Sequence, residues 1–286
     1  MTVSALQAPN RAAQAALAAA GLLPPDLSAA WTEFFGMLPP KARILLLGGE
    51  PLPALADRMA SERGASWQLH SAAGMRALPF AADSFDAVAG HQVLEGVEPT
   101  ASLTELKRVL SPGADAQFLL QHVHAPLQHA ARWAQLEADI VLKRVHMFRR
   151  VHKLVTLDAS TVTAATDRAG NELRAGLQGL KQALADVSAQ GGGRVLQWTL
   201  LAVQDLLRAR NGMKSGTAGL EVDRAEELLR SVWRRASELV AQGRSTEQMQ
   251  ALTQYASAQG FTRIDCLPLQ QTGGAPVAWQ LLLHRP

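Results

Sequence analysis

Cysteine and long apolar runs are both scarce in this chain. Cys266 is the one cysteine among 286 residues, so no internal disulfide can form and a metal site built from several thiolates is excluded. A single thiol is typical of a protein in a reducing compartment, and we expect a cytoplasmic location. No stretch approaches the roughly 18 uninterrupted apolar residues that a membrane-spanning helix needs, so we expect no transmembrane segment.

Charged residues are also few, at 19% of the chain, whereas hydrophobic residues reach 48%. This balance excludes a disordered or fibrous protein. The formal net charge of +3 is too small to identify a partner by itself. An apolar stretch at 15–23 has only Arg11 as a nearby positive charge, and we interpret residues 10–20 as a helix rather than part of a cleaved secretory signal.

The first 126 residues alternate strand-like and helix-like segments. The strand-like segments are 43–47, 67–70, 85–89 and 116–123. Helical periodicity covers 51–63 and 100–110. A short apolar run such as 43–47 is typical of a strand that is covered on both faces. Strands and helices in alternation predict a parallel α/β sheet.

Almost no strand pattern occurs between residues 127 and 260. Helices are predicted at 128–157, 168–189, 195–210, 222–242 and 245–259. Two further strand-like runs, 261–269 and 277–283, are close enough to form an antiparallel hairpin. We therefore predict an α/β core at 1–126, a helical insertion at 127–260, and a final hairpin at 261–286 that completes the sheet.

Three ordered motifs point to a known family. The first contains Ala-Leu-Pro-Phe at 77–80 and Ser-Phe-Asp at 84–86, the second is Val-Leu-Glu at 93–95, and the third is Arg-Val-Leu-Ser-Pro-Gly at 108–113. This order and spacing resemble the class I S-adenosylmethionine (SAM)-dependent methyltransferases of the small-molecule type. The resemblance implies a Rossmann-like sheet with a terminal antiparallel hairpin, and SAM as the cofactor. It also implies that Asp86 caps neighbouring backbone.

The loop that binds SAM in that family departs from the pattern here. The family has an acid-x-Gly-x-Gly sequence after its first strand, where glycines let the backbone approach the ligand. The matching residues are Leu46, Leu47, Gly48, Gly49 and Glu50. Leucine thus replaces the acid, and Glu50 replaces the second glycine. The resemblance assigns cofactor binding to Gly48, Gly49, Glu50, Gly74, Met75 and His91, whereas a tight strand-to-helix turn would also explain the two glycines.

The segment between this loop and Leu78 is short, and its later part has no carboxylates. Only 29 positions separate Gly49 from Leu78, which leaves no room for the full strand–helix–strand unit of the family. We therefore predict six strands rather than seven. No Asp or Glu lies between 64 and 82, so the acid that holds the ribose is missing, and Arg76 stands where the family has an acid beside the adenine. We expect SAM to bind weakly or not at all.

Three histidines are candidates for a catalytic base. His91 ends the third strand, and His122 and His124 end the fourth. Ligands bind at the carboxyl ends of strands in open α/β sheets. Polar loop surface is the alternative interpretation for all three, and we predict no metal site.

The segment 143–153 contains five fixed positive charges and no acid. On a continuous helix, Lys143, His146, Arg150 and Lys153 would share one face. This face could contact nucleic acid or another anionic surface. The alternative is a solvated face that is balanced by acids elsewhere in the chain.

Two functions are consistent with these observations. One is a divergent methyltransferase-like protein with an eroded cofactor site, which binds a protein partner through its helical insertion and has no catalytic activity. The other is an active SAM-dependent methyltransferase that modifies a small molecule held under the insertion.

Overall fold

The computed structural model describes residues 4–22, 25–49, 52–72, 74–75, 77–95, 98–157, 164–210, 215–270 and 274–286. The helices are α1 (Ser4–Ala19), α2 (Ser28–Met37), α3 (Leu52–Arg63), α4 (Pro99–Val109), α5 (Pro126–Asp139), α6 (Met147–Val155), α7 (Ala164–Ser188), α8 (Arg194–Ala209), α9 (Ser215–Gln242) and α10 (Thr246–Ala258). The strands are β1 (Arg43–Leu47), β2 (Gln68–Ala72), β3 (Phe85–His91), β4 (Leu110–Gln121), β5 (Ile264–Gln270) and β6 (Pro276–His284).

The chain forms two compact units. An α/β unit contains Pro24–Gln128 and Ala241–Pro286, and a helical unit contains Met1–Leu23 and His129–Val240. The predicted boundaries differ from these at two helices, because α1 groups with the helical unit and α10 with the α/β unit. The side chains of α10 explain its grouping, since Met249, Leu252 and Ala256 pack in one apolar cluster with strands β4 and β6. An insertion at 127–260 stays a prediction.

All six strands of the described residues lie in one sheet of the order β2-β1-β3-β4-β6-β5. The first four are parallel, and β6 is antiparallel to both β4 and β5. This confirms a parallel sheet that ends in an antiparallel hairpin, with β1 between β2 and β3. The predicted count of six strands is also confirmed.

β1 is apolar because both faces of the sheet are covered. Leu45 and Leu47 belong to a core with residues of α4 and α10. Ile44 and Leu46 belong to a second core with residues of α2 and α3. Sequence analysis missed α2, whose Trp31, Phe34 and Phe35 are buried in this second core.

The single helix predicted over 128–157 is wrong. α5 ends at Asp139, a π-helical turn spans Ile140–Arg144, and α6 begins at Met147. The cause lies in the backbone. The N–H of Val145 donates to the carbonyl of Ile140, five residues earlier, and His146 then adopts a left-handed conformation with φ 49°. This extra residue changes which side chains of the segment share a face.

A buried carboxylate fixes the start of α8 in the helical unit. Glu137 accepts hydrogen bonds from the backbone N–H groups of Gly193 (2.6 Å), Val195 (2.8 Å) and Leu196 (3.0 Å). These N–H groups have no partner within the helix, so a carboxylate here both satisfies them and favours the positive end of the helix dipole. Among the described residues, none of the helices is both long and apolar enough to cross a membrane.

Candidate functional site

The carboxyl ends of β1, β2 and β3 lie side by side at one edge of the sheet, where open α/β sheets bind ligands. Gly48 follows β1 with φ 97°, and its N–H donates to the carbonyl of Ala72 at 3.2 Å. A Cβ atom at Gly48 would lie 2.5 Å from the carbonyl oxygen of His91. Glycine is therefore required by the close approach of two backbones, whether or not a ligand binds.

Gly49 and Gly74 have a different environment. A Cβ atom added to either would meet no heavy atom within 4 Å among the described residues. A side chain at either position would therefore not clash with the described part of the chain. Glu50 and Arg76, which sequence analysis places in the same region, lie outside the described residues.

Leu46 occupies the position of the acid in the family's loop. Its exposure is 0%, and it packs in the apolar core beneath α2 and α3. Met75, assigned to the cofactor site by resemblance, is also buried, with 1% exposure, in the core that contains Leu47 and Leu78. Both side chains thus contribute to the hydrophobic interior of the α/β unit.

His91 ends β3, and its ring lies edge-on to Trp31 with 6.5 Å between the centroids. The next residue, Gln92, has a left-handed backbone with φ 54°, and its N–H donates to the carbonyl of Leu119 at 3.0 Å. Strained residues of this kind are concentrated at functional sites. Cofactor binding by Gly48, Gly49, Gly74, Met75 and His91 stays a prediction.

The structure brings His122 and His124 together beyond the end of β4. Their ring centroids are 5.7 Å apart, and the Nδ1 atom of His122 accepts the backbone N–H of His124 at 3.0 Å. His122 stacks on Trp279 at 4.6 Å. Burial lowers the pKa of His122, and the nearby His124 lowers it further. These contacts give His122 a packing role, and its use as a base stays a prediction.

Glu95 is the last residue of the Val-Leu-Glu motif at 93–95, and no role was predicted for it from the sequence. Its carboxylate accepts the backbone N–H of Gln121 at 3.2 Å. Burial raises its pKa from 4.5 to about 7, despite the opposing effects of that hydrogen bond and of Arg244. A carboxyl group with such a pKa beside the ligand-binding edge is a candidate general base. Its position at the end of the motif, two residues after Val93, was the feature of the sequence that could have identified it.

Arg244 links several loops at this end of the α/β unit. Its guanidinium donates to the carbonyl of Leu94 at 3.0 Å, and its own carbonyl accepts the indole N–H of Trp279 at 2.9 Å. Its backbone N–H donates to Gln121 at 2.8 Å. These bonds hold the loop after β3 beside β4 and β6, and therefore position Glu95.

The family motifs hold one another in place. Asp86 accepts the backbone N–H of Arg43 at 2.9 Å and pairs with its guanidinium at 2.7 Å, which confirms its capping role. Hydrogen bonding from Arg43 lowers the pKa of Asp86. Between the first and third motifs, Glu105 of α4 accepts the N–H of Leu78 at 2.7 Å and pairs with Arg108, whose guanidinium donates to the carbonyl of Phe80 at 2.7 Å. The motifs thus stabilise turns of the fold.

The basic segment does not form the face that a straight helix predicts. Lys143 pairs with Asp139 at 2.7 Å, and its ammonium group lies 4.9 Å from the centre of the Trp233 ring. His146, Arg150 and Lys153 do share a cavity, which Arg149 joins. In the part of the chain that the structure describes, no group of three or more His, Cys, Asp or Glu side chains could hold a metal ion.

Comparison with known proteins gives one family match. Residues 50–118 match the model of a family described as a methyltransferase domain. The matched segment begins after β1 and ends within β4. No curated protein matches the chain.

Among the solved structures that are similar to this chain, three are described as SAM-dependent methyltransferases from named organisms. One from Methanosarcina mazei is 12% identical, with a TM-score of 0.38, and the match covers 92% of this chain and 99% of that one. One from Thermotoga maritima is 12% identical, with a TM-score of 0.35, over 94% and 93% of the two chains. One from Mesorhizobium loti is 22% identical, with a TM-score of 0.26, over 34% and 57%.

The family match falls on the three motifs that carry the resemblance, and the sheet has the predicted parallel strands and terminal antiparallel hairpin. Residues 50–118 are therefore similar to the methyltransferase-domain family, and the α/β unit has the Rossmann-like parallel sheet with a terminal antiparallel hairpin that the resemblance implies.

Proposed function

We propose that this chain is a non-catalytic relative of the SAM-dependent methyltransferases, with a cofactor site that has lost its affinity for SAM. The observation that carries this proposal is Leu46. The side chain at the position of the family's acid is buried in an apolar core, so it contributes packing and no hydrogen bond to a ligand.

The end of β2 supports the same proposal. The family holds the ribose with a carboxylate after this strand, whereas the sequence has no Asp or Glu from 64 to 82. Each missing hydrogen bond to the ligand costs on the order of 1–3 kcal/mol. Two or three such losses together reduce affinity by several powers of ten, because each tenfold change corresponds to about 1.4 kcal/mol.

A protein partner of the helical unit is the second part of this proposal. Leu201 on α8 is 55% exposed and Leu220 on α9 is 60% exposed. Large apolar side chains in contact with water are typical of surfaces that bind other proteins, although single ones are common on any surface. A Leu201→Lys, Leu220→Lys double variant should keep the helical circular dichroism of the wild type and lose partner binding.

An active methyltransferase that acts on a small molecule is the alternative, and Glu95 favours it. A buried carboxyl group with a pKa of about 7 can accept a proton from a substrate near neutral pH. Open space beside Gly49 and Gly74 is also compatible with a ligand.

Calorimetric titration of the full chain with SAM, and with its demethylated product, separates these two functions. The non-catalytic proposal expects no saturable heat with either compound. Micromolar binding of SAM would overturn it, and transfer of a labelled methyl group to a small-molecule acceptor would then establish the alternative.

A charge variant tests the assigned loop. If SAM does bind, Glu50→Gln should tighten binding, because it removes a negative charge close to the carboxylate of SAM. Glu62→Gln is the matched control, since Glu62 lies on the exposed surface of α3 and pairs with Arg58 at 3.9 Å. An equal effect of both variants would show that the loop is placed wrongly.

A further inference from the structure

The helical unit contains a cavity of about 340 Å³ that is lined almost wholly by basic side chains. Its lining residues are His146, Arg149, Arg150, Lys153 and Glu172. We propose that this cavity binds the phosphate group of a small phosphorylated molecule. The proposal does not depend on whether SAM binds to the α/β unit.

The charge of the cavity fits such a ligand. Three fixed positive charges, on Arg149, Arg150 and Lys153, face one carboxylate, on Glu172. Arg149 is exposed and forms no hydrogen bond or ion pair with any described residue. Arginine is suited to phosphate because its planar guanidinium donates two parallel hydrogen bonds.

The two other cations are already held in place. The Nε of Arg150 donates to the carbonyl of Val145 at 2.8 Å, and its Nη1 donates to the carbonyl of Glu172 at 2.6 Å. Lys153 donates to both carboxylate oxygens of Glu172, at 2.9 Å each. A bound phosphate therefore contacts Arg150 without any rearrangement of that side chain. It competes with the Glu172 carboxylate for Lys153.

Two backbone features create the cavity. The left-handed residue His146 separates the π-helical turn from α6, and α6 then presents His146, Arg149, Arg150 and Lys153 at successive turns. At Gly176 on α7, an added Cβ atom would lie 2.9 Å from Cδ of Arg150. The absence of a side chain at Gly176 lets α6 and α7 approach closely enough for Glu172 to reach Lys153.

The surroundings favour a small ligand over a polymer. The helical unit's longest helix, α9, carries its charges as alternating pairs of opposite sign, among them Glu226 with Arg230 and Glu227 with Arg234. A nucleic-acid interface needs a continuous row of unpaired cations along the phosphate backbone. A cavity of about 340 Å³ lies instead at the lower end of the range of small-molecule sites.

Titration of the full chain with glycerol 3-phosphate, followed by calorimetry, tests the proposal, with glycerol as the uncharged control. We expect saturable binding of the phosphate ester alone. Arg149→Ala should weaken it about tenfold, because a charge-assisted bidentate pair is lost. Arg208→Ala is the matched control, since Arg208 is an exposed arginine of the same unit that pairs with Asp205 and does not line the cavity; it should leave binding unchanged.

Glu172→Gln gives a change in the opposite direction. It should tighten binding about threefold, because Lys153 no longer has to leave an ion pair of modest strength. Because a general effect of net charge would also tighten anion binding when a carboxylate is lost, the unchanged binding of Arg208→Ala is what separates the cavity from such an effect.

Two further probes identify the source of the phosphate. Phosphatidylcholine vesicles with and without phosphatidic acid show whether the group is a lipid headgroup, and binding to the acidic vesicles that depends on Arg149 would support the cavity as a phosphate site. Binding of single-stranded DNA without binding of glycerol 3-phosphate would overturn the proposal in favour of a nucleic-acid surface. Absence of all binding, or equal losses in the Arg149 and Arg208 variants, would also overturn it.

Discussion

The α/β unit and the helical unit differ in the side chains that they bury at their most informative positions. At the candidate cofactor edge of the α/β unit, Leu46 and Met75 are buried and apolar, whereas the helical unit uses the buried Glu137 as a structural partner for α8. The family match lies wholly in the first unit. A cavity lined by four basic side chains lies in the second, around Arg149. The family match and the proposed phosphate cavity are therefore in different parts of this molecule.

Restoring the family's acid is the most severe test of this comparison. Leu46→Asp places a carboxylate in a core that supplies no partner for it, and we expect a loss of more than about 4 kcal/mol from the free energy of unfolding. Urea unfolding followed by tryptophan fluorescence measures it. Leu46→Met, which keeps the volume, should cost less than about 1.5 kcal/mol. A stable Leu46→Asp protein would show that this position still has access to a ligand site.

The pH dependence of stability tests the carboxyl group of Glu95, at the edge of the α/β unit. The pKa of Glu95 is raised from 4.5 to about 7, so the folded protein holds its proton more tightly than the unfolded chain does. The free energy of unfolding should therefore fall as pH rises from about 4.5 to 7, by at most about 3 kcal/mol. Glu95→Gln should remove this slope and Glu62→Gln should keep it; an unchanged slope in Glu95→Gln would contradict the assignment.

In the helical unit, Glu137→Gln should have a smaller but localised effect. The amide keeps one acceptor oxygen for three backbone N–H donors, and we expect a loss of about 2 kcal/mol. Hydrogen exchange measured by mass spectrometry should be faster in the first turn of α8, at Val195 and Leu196. Glu238→Gln on exposed α9 is the control and should leave exchange in α8 unchanged.

The smallest expected effect belongs to Glu172→Gln. Its ion pair with Lys153 is about half exposed and screened by solvent, so its loss should leave the free energy of unfolding almost unchanged. Thermal unfolding followed by circular dichroism measures this. A large destabilisation would mean that Glu172 acts mainly as a structural residue, and the expected gain in phosphate affinity would then need a separate stability correction.

Much of the sheet could be predicted from the sequence because its determinants are local. A run of apolar residues at Arg43–Leu47 marks a strand that is covered on both faces, and the observed bounds agree. The motifs around Leu78, Asp86 and Arg108 could be recognised because each stabilises a turn close to it or a neighbouring strand. The short stretch after Gly49 likewise predicted the missing strand.

Only the tertiary structure decided which residues meet across long separations in the chain. The break at His146 follows from a hydrogen bond between backbone groups five residues apart, which periodicity does not reveal. It separates Lys143 from the basic cluster, which Arg149 joins. The pKa of Glu95 depends on its burial beside Gln121 and Arg244. Local pattern therefore determined the strands and turns, whereas burial, charge pairing and the shape of the cavity required the packed chain, because they arise from contacts between residues distant in sequence.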